Sequence, residues 1–236
     1  MTSRHLPPPS GTASAKESGR QSLTSIEGVE IDVGPAAVWV RSHAPLSVLG
    51  SAVVGGDLDA TQHVVNMHVS RDYASADPGA DLRAFARRLG ILDPFVGLMT
   101  AAWTDRASVA WEEADGIRAG VVATVGLSRP AAAGVCSPVA WRPSTINLIA
   151  VLDARLERGA AVNGVITVTE AKVGALVEAG VVTAEGVQAT GTVTDAVVIA
   201  WTGRGPRAPY LGPGTIAGWC LARAARRAVL EGIPAR

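Results

Sequence analysis

Short apolar runs of strand length, broken by glycine and turn residues, fill much of the chain from Val38 onward: residues 38–40, 46–54, 64–69 and 96–102. Two further runs, 107–112 and 117–127, flank Ala114-Asp115-Gly116, whose Asp-Gly pair favours the positive φ angles of a tight hairpin turn. That hairpin argues against a purely parallel sheet. A helical period replaces the strand pattern after Asp77. Asp77 is placed to cap, Pro78 suits the first helical position, and Leu82, Phe85, Ala86 and Leu89 form one apolar face before Gly90. A second helix is predicted to start near Thr167, with Thr167 and Glu170 at capping-box spacing, and to run through Lys172, Ala175 and Leu176 toward Gly180. A third opens at Gly212-Pro213 and ends near Gly232, with Arg223, Arg226 and Arg227 solvated on its later turns.

The order is strands, helix, strands with a hairpin, a long segment over 145–156, helix, strand, helix. It predicts an α+β fold: a single layered domain in which helices cover a largely antiparallel or mixed sheet. Residues 1–27, with Pro7-Pro8-Pro9 and scattered polar residues, lack an apolar period and read as a flexible N-terminal tail, leaving 28–236 as the domain. The chain has no internal repeat.

Composition narrows the function. With 21 basic and 21 acidic residues there is no electrostatic case for nucleic acid or an anionic membrane. No apolar stretch approaches the roughly 18 residues of a membrane span, and the amino terminus lacks the pattern of a secretory leader, so a cytoplasmic location is expected. Cys136 and Cys220 match no metal-ligand spacing and read as buried small hydrophobes. His5, His43, His63 and His68 form no short ligand motif, so neither a metal nor a cofactor is expected.

Candidate chemistry concentrates in the run Ala189-Thr190-Gly191-Thr192-Val193-Thr194-Asp195. In an extended segment Thr190, Thr192 and Thr194 would share one face and Asp195 would point to the other. Polar residues also interrupt apolar runs at Asn66-Met67-His68-Val69, Gly97-Leu98-Met99-Thr100-Ala101-Ala102, Thr124-Val125-Gly126-Leu127, Ser144-Thr145-Ile146-Asn147 and Thr169-Glu170-Ala171-Lys172. With Pro209-Tyr210-Leu211-Gly212-Pro213-Gly214-Thr215, these seven segments in one order resemble the adenosylcobinamide amidohydrolases, the CbiZ family, over about residues 46–232. Val193 stands where that pattern has glycine, and Ser128-Arg129-Pro130 varies the end of another segment.

The resemblance implies hydrolysis of the amide joining the corrin ring to the aminopropanol arm of adenosylcobinamide. The products would be adenosylcobyric acid and aminopropanol, a step of corrinoid salvage in which the cobalt belongs to the substrate. The partner implied is a small corrinoid, with no nucleic acid or membrane. A non-catalytic corrinoid carrier is the alternative.

Amide hydrolysis needs a nucleophile, donors for an oxyanion and an acid for the departing amine. His68 is a candidate general base, with Asn66 two residues earlier on the same strand face. Glu170 and Lys172 could form an acid–base pair, although each also reads as an ordinary first-turn helix residue. Thr192 could act as a nucleophile if an adjacent base or a newly released amino terminus activates it. Asp195 would orient a base or hold the aminopropanol hydroxyl, and Gly191 and Gly126 would let backbone N–H groups approach an oxyanion. Asn66, Thr100, Thr124, Asn147, Thr190, Thr194 and Tyr210 are the candidate substrate contacts. Met99, Trp103 and Trp141 are plausible further lining for an apolar cleft.

Overall fold

The computed structural model describes residues 26–138 and 145–234. Its strands are β1 (Val29–Val33), β2 (Ala37–Gly50), β3 (Ala60–His68), β4 (Val96–Thr100), β5 (Ser108–Ala114), β6 (Ile117–Val125), β7 (Pro130–Ala131), β8 (Ile146–Asp153), β9 (Gly191–Thr192) and β10 (Ala196–Trp201). Its α-helices are α1 (Pro78–Arg88), α2 (Arg158–Glu178) and α3 (Ile216–Gly232). Eight strands form one sheet in the order β4-β3-β2-β10-β8-β6-β5, with β1 paired to β2, while β7 and β9 make a separate two-stranded ribbon. The β3–β4 and β8–β10 pairs are parallel and the rest of the large sheet is antiparallel. This is the single-domain α+β fold with a mixed, largely antiparallel sheet.

Three strands separate β4 from β8 in the sheet, yet Asn147 Nδ2 on β8 donates to Met99 O on β4 at 2.8 Å. The sheet therefore curls until its two halves face one another. Side-chain alternation along the strands then builds two cores. From β8, Leu148, Ala150 and Leu152 pack toward α2 and α3, whereas Ile149 and Val151 meet Leu46, Val64 and Leu98 of the opposing half. A third core lies under α1, where Leu82, Phe85 and Ala86 cover Val65 and Met67.

Local chemistry explains several elements. Asp77 accepts the Ala80 N–H at 2.8 Å, as its capping position requires. The β5–β6 turn places Asp115 at φ 50° and Gly116 at φ 74°. Thr215 caps α3 by accepting the Gly218 N–H at 3.0 Å. The run 38–40 and the first part of the run 46–54 join in β2, which ends at Gly50, with a register irregularity between Arg41 and Leu46.

Four expectations need correction. Helix α2 begins at Arg158, so Thr167 and Glu170 lie inside it and form no capping box; Thr167 Oγ1 instead donates to Leu211 O at 2.7 Å. Packing against α3 overrides the weak helix preference of Gly159, Val162, Gly164, Val165 and Ile166. At Gly164 a β-carbon would come within 2.7 Å of Leu211 Cδ1, so glycine permits the close approach. This longer α2 has the length and composition of a membrane span, but it packs as a core helix, with Ala161, Val168 and Leu176 buried. Third, Arg223 and Arg227 are not simply solvated, since both pair with Glu112, and Arg226 pairs with Glu178. Finally, Ile26, assigned by sequence to the tail, is fully buried; residues 1–25 lie outside the described chain.

Candidate active site

The threonine run is a two-residue strand followed by a turn, not one extended strand. The turn folds Asp195 back onto Thr192, overturning the expectation that the two side chains face opposite ways. Asp195 Oδ1 accepts the Thr192 hydroxyl, together with the Ile146 N–H at 2.9 Å. Asp195 Oδ2 accepts the Thr192 N–H at 3.1 Å and pairs with the Lys172 ammonium. Four protein donors thus hold one carboxylate whose side chain is 13% exposed. Lys172, a candidate whose other reading was an ordinary first-turn helix residue, instead lies mid-helix on α2 and is buried, with its ammonium aimed at this carboxylate. A carboxylate partner offsets the cost of burying an ammonium.

Gly191 makes the meeting possible. A β-carbon there would lie 2.8 Å from Lys172 Nζ and closer still to Asp195 Oδ2. The glycine is required for space, because its φ lies outside the left-handed region.

Two cavities meet at this point. The larger, about 670 Å³, is lined by Lys172, by residues 190–195, by Thr169 and Val173 of α2 and by residues 131–134 and 136–138. The smaller, about 380 Å³ and more apolar, is lined by Val53, Tyr73, Leu98, Met99, Thr145 and Asn147 among others. Thr194 and Asp195 line both and form the wall between them.

Behind the wall runs a buried polar chain from β6 through β3 to β8. Asn66 Nδ2 donates to Thr124 Oγ1 at 2.9 Å, and Asn147 Nδ2 donates to Asn66 Oδ1 at 2.9 Å. The Thr145 hydroxyl lies 2.7 Å from both Asn147 Oδ1 and Thr194 O and can donate to one of them at a time. Asn66, Thr124 and Asn147 are thus brought to one network that supports the wall. Thr145 stands in the Ser144-Thr145-Ile146-Asn147 segment but is not among the candidate contacts; its polar side chain at the edge of the apolar β8 run was the available signal.

The remaining candidates scatter. Thr190 lines the larger cavity and accepts the Ala133 N–H at 2.9 Å. Thr100 is buried and accepts the Ala102 N–H at 3.0 Å. His68 is not brought to Lys172, Asp195 and Thr192: its Nδ1 lies 2.9 Å from Ala102 O, and its ring stacks on exposed Trp103 at 5.1 Å. Glu170 is exposed on α2, and Tyr210, 67% exposed, lines neither cavity. The Gly126 N–H already donates to Thr145 O at 3.0 Å, which removes it as an oxyanion donor. Trp141 lies outside the described residues. Cys220 is buried, but Cys136 lies at the larger cavity, where its Sγ accepts the Ala132 N–H at 3.3 Å.

An oriented threonine hydroxyl, a carboxylate able to take its proton and an ammonium facing a cleft are parts suited to acyl transfer. The family model of the adenosylcobinamide amidohydrolases matches residues 22–236. A Methanosarcina mazei protein named adenosylcobinamide amidohydrolase is 31% identical over 195 residues, 79% of this chain and 90% of that one. A Halobacterium salinarum protein of the same name is 37% identical over 139 residues, 54% of this chain and 57% of that one. On this match across nearly its whole length, the chain belongs to the adenosylcobinamide amidohydrolase family, a family of hydrolases.

Proposed function

We propose that the protein hydrolyses the amide between the corrin ring and the aminopropanol arm of adenosylcobinamide, releasing adenosylcobyric acid and aminopropanol in corrinoid salvage. The observation that carries the mechanism is the Thr192 hydroxyl donating to Asp195, itself paired with Lys172, at the cleft. Thr192 Oγ1 attacks the amide carbonyl while its proton moves along the existing hydrogen bond to Asp195. The Lys172 ammonium, with N–H groups beyond the one on Asp195, stabilises the developing oxyanion. Asp195 passes the proton to the departing nitrogen, since an amide anion is a poor leaving group. Aminopropanol leaves, and the corrin acyl group remains esterified to Thr192. Water then attacks the ester, Asp195 takes its proton and returns one to Thr192, and the carboxylic acid departs.

The cobalt enters and leaves with the corrin. The test is incubation of the purified protein with adenosylcobinamide and mass spectrometry of the products. Adenosylcobyric acid and aminopropanol in equal amounts are expected. Tight binding with no release of aminopropanol would replace the enzyme with a carrier.

A further inference from the structure

Helix α2 carries apolar side chains on the face opposite its buried one. Val162, Ile166 and Val177 are each about half exposed. From Val162 the positions i+4, i+7, i+11 and i+15 are Ile166, Thr169, Val173 and Val177, the spacing of a single stripe along a helix. Thr169 and Val173, in the middle of that stripe, line the larger cavity. The exposed valines and isoleucine therefore continue the cavity wall, and Thr169 and Val173 flank the position of Lys172 on the same helix. At 1.5 Å per residue, Val162 lies about 10 Å along the axis from Thr169.

Resting on the function proposed above, we infer that this stripe is the platform for the corrin macrocycle, with Ile166 and Val162 setting affinity for it. The macrocycle is broad, methylated and apolar, whereas the bond to be cut lies on one of its flexible arms. An arm that reaches Thr192 beside Lys172 leaves the ring next to the same helix, where the stripe offers apolar surface outside the cavity. A half-exposed apolar row running into a reactive cleft gains by covering water-exposed carbon when a ligand docks. Exposed Glu170, beside the stripe, is placed to accept hydrogen bonds from the amide arms at the ring's edge.

The test compares adenosylcobinamide kinetics of the wild type with Ile166→Asp and Val162→Asp, and with Leu92→Asp as a control at a position 86% exposed on the α1–β4 connection. The expected result is a KM raised about tenfold or more in both α2 variants, with kcat changed by less than about twofold, and no change in the control. Unmoved KM values in folded α2 variants overturn the platform while leaving the reaction intact. A wild type that sediments as a dimer, with variants that sediment as monomers at unchanged KM, also overturns it and assigns the stripe to a second copy of the chain. A wild type that binds adenosylcobinamide without hydrolysing it defeats the proposed reaction, and the platform then stands or falls on whether the variants weaken that binding.

Discussion

Gly191→Ala is the smallest change that separates the proposed catalytic groups without removing any of them. The backbone at Gly191 is one that alanine adopts, so the effect comes from the added methyl. That methyl would lie 2.8 Å from Lys172 Nζ, and ordinary contact begins at 3.4 Å; the ammonium must retreat by at least 0.6 Å, and Asp195 Oδ2, closer still, by more. Displacements approaching 1 Å between reacting groups cost about 10²-fold in rate, or about 2.7 kcal/mol of transition-state stabilisation. The overpacking itself should cost about 1–3 kcal/mol of stability, leaving a folded protein. The assay is steady-state hydrolysis of adenosylcobinamide, with circular dichroism to confirm folding and Gly214→Ala, where a β-carbon meets nothing within 4 Å, as control. A folded Gly191→Ala protein with the wild-type kcat would refute the assignment of Lys172 and Asp195 to the chemistry.

Other perturbations separate the parts. Lys172→Met removes the proposed oxyanion donor and should lower kcat by about 10²–10³-fold, measured in the same assay; less than a tenfold loss would place Lys172 outside the transition state. His68→Ala should leave the rate within about threefold of wild type, because His68 shares neither a hydrogen bond nor a cavity lining with Thr192 among the described residues. A loss of tenfold or more would restore it as a base. Asn147→Leu strands the Asn66 side-chain carbonyl in the interior and removes the donor to Met99 O, and should cost about 3 kcal/mol, seen as a fall of about 10 °C in melting temperature. Burial, aided by Arg41, holds His63 below its usual 6.5, against the opposing pull of Asp93. The unfolded chain then binds the proton more readily, so the stability contributed by His63 is present above pH 6.5 and is lost as pH falls from there toward the folded value. The melting-temperature advantage of wild type over His63→Gln should shrink across that acid range; an advantage that grows would contradict the sign.

Legibility followed the range of the interactions. Helix α1 and the β5–β6 hairpin could be read because Asp77-Pro78 and Asp115-Gly116 act on their own backbone. The start of α2 could not, because Gly164 is favoured there by Leu211, a partner far along the chain. Lys172 reads as an ordinary solvated lysine until the turn after Thr192 brings Asp195 to it. The curl of the sheet, which joins Asn66 to Asn147, leaves no periodic mark, since each asparagine merely interrupts its own strand. The chemical identity of the threonine run was visible from its residue types, whereas its geometry depended on one turn reversing the direction expected for Asp195.

The most direct measurement is adenosylcobinamide hydrolysis by wild type and Thr192→Ala side by side, with adenosylcobyric acid and aminopropanol quantified by mass spectrometry. Both products are expected from wild type, with a rate lower by about 10³-fold from the folded variant. A folded Thr192→Ala protein that forms both products at the wild-type rate would contradict the attack by Thr192.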